Sequence, residues 1–192
     1  MKLIITGGIA TGKSTVCKIF KESGYEVVDA DKIAHQELEN SKDEIVRIFG
    51  NKIVTNGKID RKKLGNIIFA DKKSKSKLEK VLHPKIRKEI EKTVEILEKE
   101  DKKYIVDIPL YFESGKYKAD KVILVYAPKK LQLQRVMQRD KLSEKEALER
   151  IESQIKIEAK KQMSDLVIEN SKDIEKLKDE VKNAIFQIQC KW

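Results

Sequence analysis

Leu3-Ile4-Ile5-Thr6-Gly7-Gly8-Ile9-Ala10-Thr11-Gly12-Lys13-Ser14-Thr15 decides how this chain folds. Its spacing, Gly7-x4-Gly12-Lys13-Ser14, fits the phosphate-binding P-loop pattern, in which successive backbone N–H groups wrap phosphate oxygens. In such a loop the Lys reaches the terminal phosphates and the hydroxyl ligates magnesium. The flanks agree. Lys2 to Thr6 is a short strand-like run, and Thr15 to Glu22 places Val16, Ile19 and Phe20 at helical spacing before a terminating Gly24. The helix amino terminus adds a dipole that favours anions. A ligand-free glycine turn would need no Lys-Ser pair.

At 192 residues the chain suits one globular domain with one or two inserted subdomains. No apolar leader opens it and no apolar run approaches the ~18 residues of a membrane span. A cytoplasmic protein with no membrane partner is therefore expected. Cys17 and Cys190 lie far apart and neither pairs with His35 or His83 at metal-ligand spacing, which argues against structural zinc and a disulfide framework. Cys17 falls between apolar helix positions and reads as a small buried thiol. The net charge of +10 invites a nucleic-acid reading, but the basic residues are interspersed with 32 acidic ones, a pattern of solvated helix faces. No nucleic-acid partner is expected. Only six of the 42 basic residues are Arg, so each Arg position is informative.

Tyr25-Glu26-Val27-Val28 reads as a second strand, ending at Asp29-Ala30-Asp31, with Asp31 near the cap of a helix over Lys32 to Glu39. Ser41-x-x-Glu44 has the form of a capping box, Gly50 closes that helix, Asn56-Gly57 is a hairpin turn, and Asp60 caps the next helix. Ser76-x-x-Glu79 opens another, and Pro84 at a first helical position starts a long charged helix. Tyr104-Ile105-Val106-Asp107 and Val122 to Tyr126 are apolar runs suited to strands buried on both faces. Leu131 to Gln138 follows as a helix, Ser143-x-x-Glu146 caps one through about Lys161, Leu166 to Ile168 is a last strand, and Ile174 to Ile188 a closing helix. This alternation predicts a doubly wound α/β fold with a parallel sheet and a helical insertion.

The P-loop needs an acid for magnesium at a neighbouring strand end, and Asp107 is suitably placed, with Asp29 competing. Phosphoryl transfer to an alcohol gains from a carboxylate that accepts the hydroxyl proton. Asp31 is the candidate base; its alternative role is a helix cap. Arg135 and Arg139 are i,i+4 on one helix and Arg150 lies in the next, so this segment reads either as a closing lid with phosphate-binding guanidiniums or as surface arginines paired with Asp140, Glu146 or Glu149. His83, before Pro84, reads as a structural or substrate-contacting residue rather than a catalytic one.

Together these segments resemble the dephospho-coenzyme A kinase family. The resemblance runs from Leu3 to about Asn170 through Thr6 to Thr15, Asp29-Ala30-Asp31, Gly57-Lys58-Ile59-Asp60-Arg61, Leu82-His83-Pro84-Lys85-Ile86 and Val106 to Glu113. It continues through Ala127-Pro128, Gln132, Arg135-x3-Arg139-Asp140, Gln154 and Asp165 to Asn170. Ala10-Thr11 stands where the family usually has Gly-Ser, Tyr111 where it usually has Leu, and Lys172 where a Gly is common. The resemblance implies a P-loop NTPase-like core with a five-stranded parallel sheet of the adenylate kinase kind (1–31, 103–138 and 162–192), a helical substrate-binding insertion (32–102) and a helical lid (139–161). It implies transfer of the ATP γ-phosphoryl group to the ribose 3′-hydroxyl of dephospho-coenzyme A, the last step of coenzyme A biosynthesis, with Mg2+ as cofactor. Carried onto this sequence, Asp31 is the base, Lys13, Arg135 and Arg139 act on the transferred phosphate, and Gly8, Ile9, Ala10, Thr11, Gly12, Lys13, Ser14, Thr15 and Asn170 hold ATP. Arg61, His83, Pro109, Leu110 and Phe112 line the acceptor site beside Asp31, and Ser14 with Asp107 holds the metal. A monomer is favoured.

A nucleoside or nucleotide kinase would share the loop and lid and differ in the acceptor pocket. A nucleic-acid-binding ATPase rests on net charge alone. A GTP-dependent switch would want Asp-x-x-Gly after a strand, and no Asp here is followed three residues later by Gly.

Overall fold

The computed structural model describes all 192 residues, Met1–Trp192. Its strands are β1 (Leu3–Gly7), β2 (Glu26–Asp29), β3 (Val54–Thr55), β4 (Lys58–Ile59), β5 (Tyr104–Asp107), β6 (Lys121–Tyr126) and β7 (Leu166–Glu169). The chain divides into two compact units, Met1–Val28 with Leu97–Trp192, and Asp29–Ile96.

The first unit is built on the five-stranded parallel sheet, ordered β2-β5-β1-β6-β7. β1 lies between β5 and β6, parallel to both, and every residue from Leu3 to Gly7 is buried. That explains the unalternated apolar run: a central parallel strand has no wet face. Two helices cover one face, α1 (Lys13–Glu22) and α10 (Ile174–Lys191). Val16 and Phe20 of α1 meet Leu177, Val181 and Ile188 of α10 over Leu3, Ile5, Ile123 and Val125 of the strands. Phe20 is fully buried and stands edge-on to Tyr25, with ring centroids 5.3 Å apart.

The second unit carries α2 (Ala30–Asn40), α3 (Lys42–Phe49), the β3–β4 hairpin, α4 (Arg61–Ala70) and the start of α5 (Lys72–Lys99). The hairpin turn falls where Asn-Gly puts it, with φ of 50° at Asn56 and 75° at Gly57. Asp60 caps α4 by accepting from the backbone N–H groups of Lys62 and Lys63. The remaining helices all belong to the first unit: α6 (Tyr111–Ser114), α7 (Lys129–Asp140), α8 (Glu144–Glu152) and α9 (Ile157–Gln162).

Five expectations at helix ends are corrected. Asp29, not Asp31, caps α2, its carboxylate accepting from Lys32 N–H at 2.9 Å, and Asp31 sits exposed in the first turn. The Ser41-x-x-Glu44 box is not made: the Ser41 hydroxyl and the Glu44 carboxylate both receive Lys85 Nζ instead. Neither Ser76 nor Pro84 begins a helix; both lie inside α5, which starts at Lys72 because Asp71 accepts from the backbone of Lys73 and Ser74. Packing of Leu78, Leu82, Ile86 and Ile90 carries the helix through the missing proline donor. The Ser143 capping box forms, but the helix it opens ends at Glu152. Ser153 Oγ donates to the Arg150 carbonyl, and the Ile155 N–H leaves the helical ladder for a distant carboxylate.

No helix is long and apolar enough to cross a membrane. Replacing Phe20 with Ala removes the largest fully buried side chain of the main core. It is expected to cost about 3–5 kcal/mol of unfolding free energy; denaturant titration returning under ~1 kcal/mol would show that this core is not where stability resides.

Candidate active site

The P-loop leaves β1 at Gly7 and enters α1 through Gly12, whose φ of 90° turns the backbone left-handed ahead of the helix. Ala10 is also left-handed, at φ 56°, a conformation that a side chain disfavours and glycine adopts freely. Thr11 is fully buried, and its hydroxyl donates to the Gly8 carbonyl at 3.0 Å, closing the turn on itself. Ser14 and Thr15 are exposed in the first turn of α1. Gly8 to Ser14, with Arg135 and Arg139, line a cavity of about 370 Å³.

Beneath the loop, Lys13 Nζ donates to both oxygens of Asp107, at 2.5 and 2.6 Å. Cys17, buried as expected, places Sγ 3.5 Å from Asp107 Oδ2. On the far side Arg135 is half-buried and donates to the carbonyls of Ala10 (3.4 Å) and Asn170 (3.1 Å); burial pulls its pKa down from the ordinary guanidinium value. Asn170 is buried, and its amide donates to the Thr11 carbonyl at 2.8 Å. Gln154 accepts from the Ile9 N–H at 2.9 Å, and Gln132 braces the Ala127 carbonyl.

The two readings of the arginines divide between residues. Arg135 faces the loop, whereas Arg139 and Arg150 both hold Asp140, Arg139 with two bonds of 2.7 and 3.0 Å. The hydrogen bond between them raises the Arg139 pKa and lowers that of Asp140. Of the acceptor-side candidates in this unit, Pro109 accepts from the Thr6 hydroxyl, Leu110 is exposed, and Phe112 packs edge-on against Tyr111 with centroids 5.1 Å apart.

The second unit brings together its own set. Asp31 and His35 stand one turn apart on α2, hence on one face. Arg61, the first residue of α4, places NH1 2.8 Å from His35 Nε2. His83 lies on α5 with Nε2 3.9 Å from Glu79. His35, given no role from sequence, is therefore the link between two residues that were.

No group of three or more His, Cys, Asp or Glu side chains forms a metal cage. The two residue types expected to hold a hard cation stand apart in their present bonding: the Ser14 side chain is exposed at the start of α1, and both Asp107 oxygens are taken by Lys13.

The five-stranded parallel sheet and the glycine loop that leads from β1 into α1 define a P-loop kinase fold. A solved shikimate kinase from Bacteroides thetaiotaomicron shares that fold alone, with a TM-score of 0.56 at 11% identity over 98% of each chain. Sequence narrows the class: the dephospho-CoA kinase family model matches residues 1–176, and the chain belongs to that family. It is 45% identical to a dephospho-CoA kinase of Helicobacter pylori over 186 residues, 95% of each chain, and 43% identical to one of Sulfurimonas denitrificans over 99% of this chain and 95% of that protein. A solved dephospho-CoA kinase from Campylobacter jejuni superposes with a TM-score of 0.78 at 42% identity, covering 98% of each chain.

A Cβ at Gly12 would lie 2.0 Å from Asn170 Nδ2 on a backbone at φ 90°. Gly12→Ala is expected to weaken ATP binding at least about tenfold by calorimetry, whereas Ala10→Gly, relieving its left-handed strain, is expected to raise stability by about 0.5–1 kcal/mol. An ATP affinity unchanged in Gly12→Ala would detach this loop from the nucleotide.

Proposed function

We propose that this protein transfers the γ-phosphoryl group of ATP to the ribose 3′-hydroxyl of dephospho-coenzyme A. The hydroxyl oxygen forms the new bond to phosphorus, the bond from phosphorus to the β–γ bridging oxygen breaks, and ADP and coenzyme A leave. The observation that carries this reading is family membership over residues 1–176, on a chain that keeps the loop, Lys13, Asp107 and Arg135 in one site. ATP as donor follows from the kinase family.

In the proposed assignment Asp31 takes the hydroxyl proton. It is free to do so because Asp29 supplies the helix cap. Arg61, held by His35 on the face that carries Asp31, contacts the acceptor, with His83, Pro109, Leu110 and Phe112 lining or supporting it. Lys13 exchanges Asp107 for phosphate oxygens, and the N–H groups of Gly8 to Thr15 wrap the phosphates. Residues 32–102 serve as the substrate subdomain and 139–161 as the lid, whose closure excludes water from ATP. Arg139 is the lid cation that leaves Asp140 for phosphate. Asn170 braces the loop from the nucleotide side. Ser14 and Asp107 hold magnesium, which when bound neutralises charge on the phosphates.

Incubation with ATP, magnesium and a panel of acceptors, followed by mass spectrometry, is expected to yield coenzyme A from dephospho-coenzyme A. Transfer only to a nucleoside monophosphate would overturn the assignment. Asp31→Asn is expected to lower kcat by roughly 10²–10⁴-fold with ATP affinity kept, because the base acts only in the transition state. A kcat within twofold of wild type would remove Asp31 from the mechanism.

A further inference from the structure

Lys160 is wholly buried, an unusual place for a lysine, and nothing in the assignment above uses it. Its Nζ lies 2.6 Å from Glu113 Oε1 and donates to the Gly7 carbonyl at 3.1 Å. Gly7 is where β1 gives way to the P-loop. The same Glu113 oxygen accepts the Ile155 N–H at 3.1 Å, in the break between α8 and α9, and the neighbouring Gln154 accepts from Ile9 of the loop. Glu113 itself follows directly on Pro109 to Phe112. One ion pair thus ties the root of the P-loop to the stem of the segment 139–161 and to the 109–112 turn.

Stability does not account for this pair. Desolvating two opposite charges offsets their attraction, and apolar residues of similar volume commonly hold a fold as well or better. The carboxylate is also incompletely used, since Glu113 Oε2 is buried with no hydrogen-bond partner. What the pair provides that apolar residues cannot is direction: a charged donor fixed on the Gly7 carbonyl and an acceptor fixed on the Ile155 amide.

We propose that Lys160 and Glu113 are positioning residues for phosphoryl transfer: through the Gly7 carbonyl and the Ile155 N–H they hold the P-loop and the lid stem in the register the reaction requires. The proposal rests on the kinase reading. Its position-sensitivity is that of any near-attack geometry, where a displacement of about 1 Å can lower the rate by on the order of a hundredfold.

The test is the double variant Lys160→Met with Glu113→Leu, which removes both charges together and leaves no unpaired buried ion. The fold is expected to be kept with a modestly lowered Tm, since the Gly7 carbonyl and the Ile155 N–H lose their side-chain partners, while kcat with dephospho-coenzyme A falls on the order of ten- to a hundredfold and the acceptor KM stays within about twofold. Lys160→Arg, which keeps the cation and its donors, is expected to retain kcat within about threefold. A folded double variant with a kcat within threefold of wild type overturns the proposal. So does one that no longer folds, because the pair would then serve the fold rather than the reaction. Wild-type protein run in the same assay separates these results from a wrong substrate: if it too leaves dephospho-coenzyme A unphosphorylated, the kinase reading fails instead.

Discussion

A loop that aims its N–H groups at an anion must turn its carbonyls the other way, into the protein, and a buried carbonyl needs a donor. Much of this structure answers that one requirement. The Gly7 carbonyl receives Lys160, that of Gly8 the Thr11 hydroxyl, that of Ala10 Arg135, and that of Thr11 the Asn170 amide. The Gly12 carbonyl is taken by the first helical amides, Thr15 and Val16. Three of these five acceptors are served from more than a hundred residues away in sequence, so a loop short in sequence is long-range in its support. Arg135 and Asn170 also bond each other through the Asn170 carbonyl, making the back of the loop one connected network.

That requirement also explains what could be read in the chain and what could not. Strand, loop and α1 were legible because the glycine spacing and the apolar run on β1 are local signals. Asp60 and Ser143 were legible as caps for the same reason, each bonding within three residues. Ser41 carried an equally good local pattern and failed, because Lys85, 44 residues on, takes its hydroxyl. Pro84 misled in the opposite direction: a local helix-start signal lost to apolar side chains that bury α5 on both sides of it.

In the loop region, residue types that advertise phosphate chemistry stand out in the sequence, whereas Lys160 and His35 do not. Lys160 sits in Glu158-Ala159-Lys160-Lys161, which reads as solvated charge in a chain with 42 basic residues. Its single distinguishing mark is that Ile157 lies three residues before it, so both fall on one helix face, and Ile157 is buried. His35 gave no local signal either; its importance appears only when Arg61, 26 residues later, reaches it. Arg135 and Arg139 share α7, as their spacing suggested, yet geometry separates the two, one on the loop and one on Asp140.

The cations of the site are held in one arrangement: Lys13 on Asp107, Arg139 on Asp140, Arg135 on two carbonyls. Left without such partners, three guanidinium and ammonium groups lining one cavity of about 370 Å³ would repel one another. Carboxylates solve that problem, and under the proposed assignment a triphosphate has to displace Asp107 and Asp140 from groups already paired. The net gain is then the difference between two pairings rather than the full attraction, and the Arg139 pair is the solvent-screened one, its arginine side chain being 59% exposed. It differs between the two aspartates. Asp107 is buried at a strand end with Lys13 on both its oxygens, whereas Asp140 adjoins Arg139 in sequence and is also held by Arg150. Asp140 thus has a second arginine to hold it under the proposed release of Arg139, which lowers the cost of that release.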